Sequence, residues 1–215
     1  MCYTNRSENV RVVDGHLIIE AKLEKFGNKN YTSGRIQQVT GLRSFGAFVF
    51  RAKLPDGLFL FPSLWTESLM LCKYSEIDVI QFNDSQQDEF KFSASFGRDL
   101  EHLKQNTTIK QFANVNFSTE FHEFAILWSE KSIRWFVDKE QVFEVSTRES
   151  DWVQKDNKPC TANQKPFDEI ASITMNIDVR GNDSQNEKNE TLTPNIDGKW
   201  VSPRLVVDWI RIYQN

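Results

Sequence analysis

The chain has 215 residues, of which 39% are hydrophobic and 26% are charged, and its formal net charge at pH 7 is −4. These values are typical of a globular protein, and the length suits one all-β domain, since β-sandwiches run to about 200–250 residues. Acidic and basic residues are interspersed, which excludes a basic patch for nucleic acid or an anionic membrane. No apolar run approaches the ~18 residues of a membrane span. We expect a single domain over residues 1–215 that has neither of these partners.

Short β-prone segments separated by turn residues run along the chain. A turn at Asp14-Gly15 precedes an apolar segment at 17–21, which predicts a β-hairpin. Apolar residues fill every second position of 46–55 from Phe48 onward, which predicts a half-buried antiparallel strand. Strands recurring this often, with almost no helical periodicity, predict a β-sandwich. Further strands are predicted at 31–36, 59–65, 121–128, 132–138, 141–145, 170–179 and 204–213.

The six tryptophans divide by their surroundings. Trp128, Trp135 and Trp209 lie in predicted strands with alternating apolar residues, so we expect them in the core. Trp152 and Trp200 lie in predicted loops, where an exposed ring could serve as a platform for a sugar.

The most informative strand is predicted around Glu76 and Asp78. In a strand these two acids share one face, while the apolar residues between them point to the other. Strict alternation would next place Ile80 on the polar face. A β-bulge would instead place Gln81 there and return Phe82 to the core, and we favour this bulged strand because it suits the chemistry of the side chains. An edge strand with a solvated acidic face is the alternative interpretation.

The segment Glu76-Ile77-Asp78-Val79-Ile80-Gln81 resembles the Glu-x-Asp-x-x-Glu active-site strand of glycoside hydrolase family 16, in its bulged, laminarinase-like form. The resemblance implies that Glu76 is the nucleophile and that Asp78 supports it, whereas Gln81 replaces the general acid/base. Further motifs match that family in the same order along nearly the whole chain. The resemblance implies a concave β-jelly-roll sandwich of the concanavalin A-like type, and we expect its first N-terminal strand to be missing here.

The same resemblance indicates substrate-binding positions. Trp65 matches the last Trp of the family's Trp-Pro-Ala-Phe-Trp segment and could stack on a sugar ring, and Arg35 matches a cleft-facing Arg. A core aromatic and a solvated strand arginine are the alternative interpretations. Leu71 and Phe61 stand where the family has Trp, and Ser95 stands where it has His. Together with the missing acid/base, these departures favour natural loss of catalysis over one introduced substitution.

The amide of Gln81 cannot perform the proton transfers of a retaining glycosidase, which uses two carboxyl groups about 5–5.5 Å apart. Losing general acid–base assistance costs roughly 10²–10⁴ in rate. We therefore expect a domain that binds β-1,3-glucan or a related polysaccharide through a catalytically impaired cleft. The alternatives are an active retaining endo-β-1,3-glucanase in which another group replaces Gln81, and an interaction scaffold with a vestigial cleft. Gln81 could also be an introduced trapping substitution, or face the core if the bulge is absent.

The sequence also bears on the compartment. Cys2, Cys72 and Cys160 are too few for a disulfide scaffold, and their pairing stays open. Seven Asn-x-Ser/Thr sequons favour a secreted glycoprotein, because sequons are acceptor sites only in secreted proteins. Accidental occurrence in Asn-rich loops is the alternative. The sequons begin at Asn5, Asn30, Asn83, Asn106, Asn116, Asn182 and Asn189.

Many members of the family carry a structural calcium ion on the convex side. Asp208 matches the aspartate that the family's last strand supplies, and Gly15 could supply a backbone carbonyl. Calcium takes six to eight oxygen ligands, so two protein ligands imply a weak site. A hydrogen-bonded structural role for Asp208 is the alternative. We expect no other cofactor, and we expect the protein to be a monomer.

Overall fold

In a computed structural model of the chain, nearly all of the regular structure is β-strand. The one helix in the described part is a 3-10 turn at Glu149–Trp152. No helix among the described residues is long enough and apolar enough to cross a membrane. The predicted all-β class is confirmed. The structure describes residues 1–40, 43–70, 73–82, 88–97, 99–101, 103–152, 165–180 and 200–214.

Eighteen strands follow one another along the described part of the chain. The first nine are β1 (Cys2–Tyr3), β2 (Val10–Val13), β3 (His16–Glu20), β4 (Lys22–Phe26), β5 (Lys29–Ser33), β6 (Arg35–Gln37), β7 (Gly46–Lys53), β8 (Asp56–Gly57) and β9 (Leu60–Met70). The other nine are β10 (Lys73–Phe82), β11 (Glu89–Gly97), β12 (Leu103–Gln111), β13 (His122–Trp128), β14 (Ser132–Val137), β15 (Glu140–Ser146), β16 (Ser172–Val179), β17 (Trp200–Ser202) and β18 (Arg204–Tyr213).

Two large antiparallel sheets form the predicted sandwich. The first, which we call the cleft sheet, has six strands in the order β12-β11-β10-β9-β16-β6. The second, the back sheet, has seven strands in the order β15-β14-β13-β7-β18-β3-β2. Two small sheets lie beside them, one of β1, β5 and β4 and one of β17 and β8. This two-layer arrangement confirms the predicted jelly roll.

Aromatic side chains fill the space between the two sheets. In β7, Phe48, Phe50 and Ala52 are at most 1% exposed, whereas the residues between them are half-buried. This is the alternation that the sequence predicts. In the opposite sheet, Phe90 and Phe92 of β11 are also fully buried. Burying one such ring contributes about 1.5–3 kcal/mol, so these strands supply much of the packing that holds the sheets together.

Two hairpin turns use left-handed backbone conformations. Asp14 and Gly15 have φ of 51° and 81° and connect β2 to β3, as the sequence predicts. Asp138 and Lys139 have φ of 49° and 73° and connect β14 to β15. Two-residue turns of this kind suit the twist of the strands that they join.

Strand β10 contains the predicted β-bulge. Asp78 pairs with Ser93 of β11. Gln81, three residues further on, pairs with Lys91, which is only two residues from Ser93. The extra residue on β10 leaves Gln81 half-buried on the polar face, and Phe82 returns to the core at 3% exposure. The bulge therefore lets one strand carry Asp78 and Gln81 on the same face.

Trp135 of β14 connects the back sheet to this bulge. Its ring is fully buried, and its indole N–H donates a hydrogen bond of 2.7 Å to the backbone carbonyl of Asp78. A bulge interrupts the regular ladder, so a carbonyl next to it needs a partner from elsewhere. Trp135 supplies that partner from across the core.

The three tryptophans predicted for the core do not all lie there. Trp128 and Trp135 are at most 1% exposed, as predicted. Trp209 is half-buried on the outer face, with the guanidinium carbon of Arg211 4.1 Å from its ring centroid. The prediction for Trp209 is wrong because the register of β18 shifts after Val207, and Trp209 therefore pairs with the outward-facing Arg51.

Several sequence predictions fall outside the described residues. Cys72 and Cys160 are among them, and Cys2, which is described, is a free thiol. The predicted departure at Leu71 and the sequons at Asn83, Asn182 and Asn189 also lie outside.

We expect Trp135→Phe to lower the free energy of unfolding by about 2–4 kcal/mol. The change removes a buried hydrogen bond, leaves the carbonyl of Asp78 without its partner and opens a small cavity. Urea unfolding measures the loss. Trp209→Phe is the matched control and should cost less than about 1 kcal/mol, because that ring is half-buried. Equal losses in the two variants would contradict the role given to the Trp135 bond.

Candidate active site

A polar cleft of about 170 Å³ lies on the outer face of the cleft sheet. It brings together five of the residues predicted from the sequence: Glu76, Asp78 and Gln81 of β10, Trp65 of β9 and Arg35 of β6. These positions are far apart along the chain and meet because β10, β9, β16 and β6 are neighbours in the sheet. The other lining residues are Tyr3, Ser63, Asn176, Asp178 and Arg180.

Glu76 and Asp78 form a hydrogen-bonded pair of acids. Asp78 is 4% exposed and accepts a hydrogen bond from the hydroxyl of Ser93, and Glu76 accepts one from the hydroxyl of Tyr74. Burial, and then the charge of Asp78, raise the pKa of Glu76 to about 7. Burial also raises the pKa of Asp78. The buried carboxyl group of Asp78 and the half-buried one of Glu76 therefore hold one proton between them near neutral pH.

Gln81 lines the same cleft. Its amide Nε2 donates a hydrogen bond of 3.3 Å to the hydroxyl oxygen of Ser63. An amide is neutral at any working pH and neither releases nor takes up a proton there. The cleft therefore contains two acids, of which Glu76 is the predicted nucleophile. At the position predicted for the acid/base it contains the neutral amide of Gln81.

Trp65 is a cleft residue, and one face of its ring is covered by Arg35. The guanidinium carbon of Arg35 lies 4.8 Å from the ring centroid of Trp65. The indole N–H donates a hydrogen bond of 2.9 Å to Oδ1 of Asn176, which fixes the ring in its plane. A cation–π contact at a solvent-exposed site is worth about 0.5–1 kcal/mol, so a ligand can displace it.

Glu67 of β9 is a cleft-sheet residue that sequence reasoning missed. It lies directly opposite Glu76 in the β9–β10 pairing. Its Oε1 accepts hydrogen bonds from Arg35 at 3.0 Å and from Gln37 at 2.8 Å. Burial raises the pKa of Glu67, and the charge of Arg35 opposes that rise. A single acid within a strand carries no sequence signal for the cross-strand neighbour that it will meet.

A second arginine, directly after β16, makes a similar contact with an aromatic ring of β9. The guanidinium carbon of Arg180 lies 4.8 Å from the ring centroid of Phe61, and Arg180 forms an ion pair of 3.2 Å with Asp178. The hydroxyl of Tyr3 also donates a hydrogen bond to Asp178. Phe61, a predicted binding position, is 4% exposed and does not line the cleft wall. Nothing in the sequence pattern pointed to Tyr3, Asp178 or Arg180.

Ser95 lies opposite Glu76 on β11, on the side away from β9. It is 2% exposed, and its hydroxyl oxygen accepts a hydrogen bond of 3.0 Å from Nε2 of Gln105. The structure thus places this predicted binding position beside the acid pair but with its hydroxyl engaged within the sheet. Its role in binding stays a prediction.

Neither loop tryptophan is an open platform. Trp152 is 2% exposed, and its indole N–H donates to the backbone carbonyl of Ser146. Trp200 is half-buried, packs against Tyr31 and donates to the carbonyl of Leu58 at 2.9 Å. Both rings therefore stabilise the fold.

Asp208, the predicted calcium ligand, lies on the back sheet beside Arg51 and His16. Its carboxylate forms an ion pair with Arg51, and Nε2 of His16 is 3.7 Å from its other oxygen. In the part of the chain that the structure describes, no three His, Cys, Asp or Glu side chains are grouped to hold a metal ion. This environment fits the structural alternative for Asp208 better than a calcium ligand. The calcium site stays a prediction.

We expect the free energy of unfolding to fall as the pH rises from about 5 to 8. The pKa of Glu76 is about 7 in the folded state, against an ordinary value of 4.5. Between these values the folded chain holds a proton that the unfolded chain has released, so the stabilisation is complete below the lower value and is lost as the pH rises through the higher one. The loss is on the order of 3 kcal/mol, at about 1.4 kcal/mol per pKa unit.

Urea unfolding at several pH values measures this slope. Glu76→Gln should reduce it, because the amide does not titrate, and the slope that remains is the one expected from the raised pKa of Asp78. Glu140→Gln, a change at an exposed acid of β15, is the matched control and should leave it unchanged. A slope that is unchanged in Glu76→Gln would show that Glu76 does not hold the proton.

Known proteins share both the sequence pattern and the fold of this chain. It is 28% identical to the glucan endo-1,3-β-glucosidase of Cryptopygus antarcticus in an alignment of 221 positions, gaps included, which covers 98% of this chain and 79% of that protein. It is also 28% identical to the β-glucanase of Rhodothermus marinus in an alignment of 227 positions, which covers 97% of this chain and 71% of that protein. The X-ray structure of the laminarinase from Rhodothermus marinus matches with a TM-score of 0.73 at 27% identity, covering 99% of this chain and 83% of that one.

The family comparison covers most of the chain. The model that describes glycosyl hydrolases family 16 matches residues 2–200. This match includes every strand that lines the cleft. The chain therefore belongs to glycoside hydrolase family 16.

Proposed function

We propose that this chain binds β-1,3-glucan, or a closely related polysaccharide, through a cleft that has lost efficient hydrolysis. The observation that carries the proposal is the amide of Gln81 in the cleft that also holds Glu76 and Asp78. The substrate class is supported by the relatives named as an endo-1,3-β-glucosidase and a β-glucanase.

The cleft keeps the groups that recognise a sugar. Trp65 offers a ring whose face can stack on a pyranose, and Arg35, Asn176 and the Gln81 amide offer hydrogen-bonding atoms for hydroxyl groups. None of these contacts needs a proton transfer. Binding therefore survives a change that removes the acid/base.

Hydrolysis with retention needs two proton transfers. When Glu76 attacks the anomeric carbon, the leaving oxygen must receive a proton, and when water later attacks the glycosyl-enzyme, that water must lose one. Gln81 supports neither transfer, so each half-reaction loses roughly 10²–10⁴ in rate. Glu76 can still act as a nucleophile when it is ionised, and its pairing with Asp78 keeps it oriented.

The second candidate function is an active retaining endo-β-1,3-glucanase. Glu67 favours it, because this partly buried carboxyl lies directly across the strand pair from Glu76 and burial raises its pKa. Against it, Glu67 already accepts hydrogen bonds from Arg35 and Gln37, which favours the ionised form. Glu67 would have to leave these partners before it could donate a proton.

We expect Gln81→Glu to restore hydrolysis. The release of reducing ends from laminarin should rise by at least ~100-fold, because a carboxyl group returns to the position of the acid/base. Gln141→Glu, the same change at an exposed residue of β15, is the matched control and should not increase the release of reducing ends. Glu76→Gln combined with Gln81→Glu should also be silent. Hydrolysis by the native chain that Glu67→Gln abolishes would instead establish the second candidate function.

We propose that the chain is secreted and N-glycosylated. Asn5, Asn30 and Asn116 have exposed side chains, so these three sequons are accessible on the folded protein. A chain expressed through a eukaryotic secretory pathway should migrate more slowly on a denaturing gel, and peptide N-glycosidase should reverse the shift. Replacing these three Asn residues with Gln should reduce the shift. A native chain with no shift would contradict glycosylation.

A further inference from the structure

Four side chains beside the acid pair form one hydrogen-bonded and stacked group, which we call the capped cluster: Arg35, Gln37, Trp65 and Glu67. Arg35 and Gln37 come from β6, and Trp65 and Glu67 come from β9. Glu67 accepts from both residues of β6, and Arg35 also covers the ring of Trp65. The cluster thus joins two strands that are separated in the sheet by β16.

Arg35 contacts both Glu67 and Trp65. An arginine side chain on an exposed strand has many rotamers, and stacking on a ring alone does not select one strongly. The ion pair of 3.0 Å with Glu67 adds a second contact, which favours the position in which the guanidinium carbon lies 4.8 Å from the centroid of Trp65. A sugar that stacks on this face of Trp65 must therefore replace Arg35.

The cluster is accessible enough for a ligand to open it. The side chain of Arg35 is 38% exposed, and that of Glu67 is 15% exposed. Exposed ion pairs are weak because water competes for both partners. A saccharide that offers an apolar ring face and several hydroxyl groups can supply equivalent contacts to the ring of Trp65 and to the guanidinium of Arg35.

The buried hydroxyl of Thr174 also supports a subsite beneath the capped cluster. Thr174 of β16 lies between Gln37 and Trp65 in the sheet register, on the face that carries the cluster. It is fully buried, and its hydroxyl has no hydrogen-bond partner in the described part of the structure. A buried polar group without a partner is unfavourable. The closed cluster therefore covers a polar group that an entering sugar hydroxyl, or the water that it brings, can satisfy.

We propose that Glu67 is a positioning residue that holds Arg35 across Trp65 and so keeps a sugar subsite closed until a neutral saccharide displaces the arginine. This inference rests on the proposed function, because it assigns a closed state to the same cleft. Binding then includes the opening of the cap, which lowers the apparent affinity by the fraction of molecules in which the subsite is open. Glu67 thus limits affinity although it need not touch the sugar.

The test is a double-mutant cycle on the affinity for laminarin oligosaccharides, measured by calorimetry. Glu67→Gln should tighten binding by roughly threefold to fivefold, which is the range that the loss of one exposed ion pair allows. In an Arg35→Ala background, Glu67→Gln should have no further effect, because the residue that Glu67 holds is gone. Glu67→Asp keeps the charge and should remain closer to the native affinity than Glu67→Gln.

Two affinity results would overturn the proposal. Weaker binding by Glu67→Gln would mean that Glu67 contacts the saccharide directly. An equal effect of Glu67→Gln with and without Arg35 would mean that Glu67 does not act through the arginine.

A measurement without glucan separates this proposal from the proposed function. Acrylamide quenching of Trp65, taken as the difference between each protein and its Trp65→Phe counterpart, should increase when Glu67→Gln loosens the cap. Glu140→Gln should leave quenching unchanged. If the native chain binds no glucan, the proposed function fails, and increased quenching still supports the cap. Unchanged quenching in Glu67→Gln overturns the cap itself.

Discussion

The cleft depends on one hydrogen bond that crosses the core, from the indole of Trp135 to the backbone carbonyl of Asp78. It lies where strand β10 carries one residue more than its neighbour and the regular ladder is interrupted. Without that extra residue, the polar face would continue with the apolar Ile80. A ring in the opposite sheet thus helps determine which side chain completes the site.

The chemistry of the cleft follows from how its charges are matched. Burial makes two adjacent carboxylates unfavourable, so Glu76 and Asp78 retain a proton between them. The other acids, Glu67 and Asp178, each have an arginine, and each arginine also covers an aromatic ring. An amide at Gln81 adds no charge to this arrangement. The site is therefore nearly neutral, which suits an uncharged polymer rich in hydroxyl groups.

The sequence predicted the parts of this structure that follow from periodicity within one segment. Alternation identified the buried face of β7, and the acids of β10 together with the apolar Ile80 indicated the bulge. The sequence did not reveal β12, whose residues are largely polar because the strand lies at the edge of the cleft sheet. Glu67 was missed because its importance arises from the residues opposite it, and that pairing is a property of the sheet register. Trp209 was misplaced because a register shift in β18 reverses its face.

The position of the first residues has a practical consequence for handling the protein. Tyr3 lines the cleft, and the Sδ of Met1 accepts a hydrogen bond of 3.3 Å from the backbone N–H of Val179 on the cleft sheet. The last strand, β18, belongs to the back sheet. Any segment joined ahead of Met1, such as an affinity tag or a surface linker, would therefore emerge beside the cleft and restrict access to it. Fusion after β18 attaches the protein by its opposite layer and leaves the cleft facing solution.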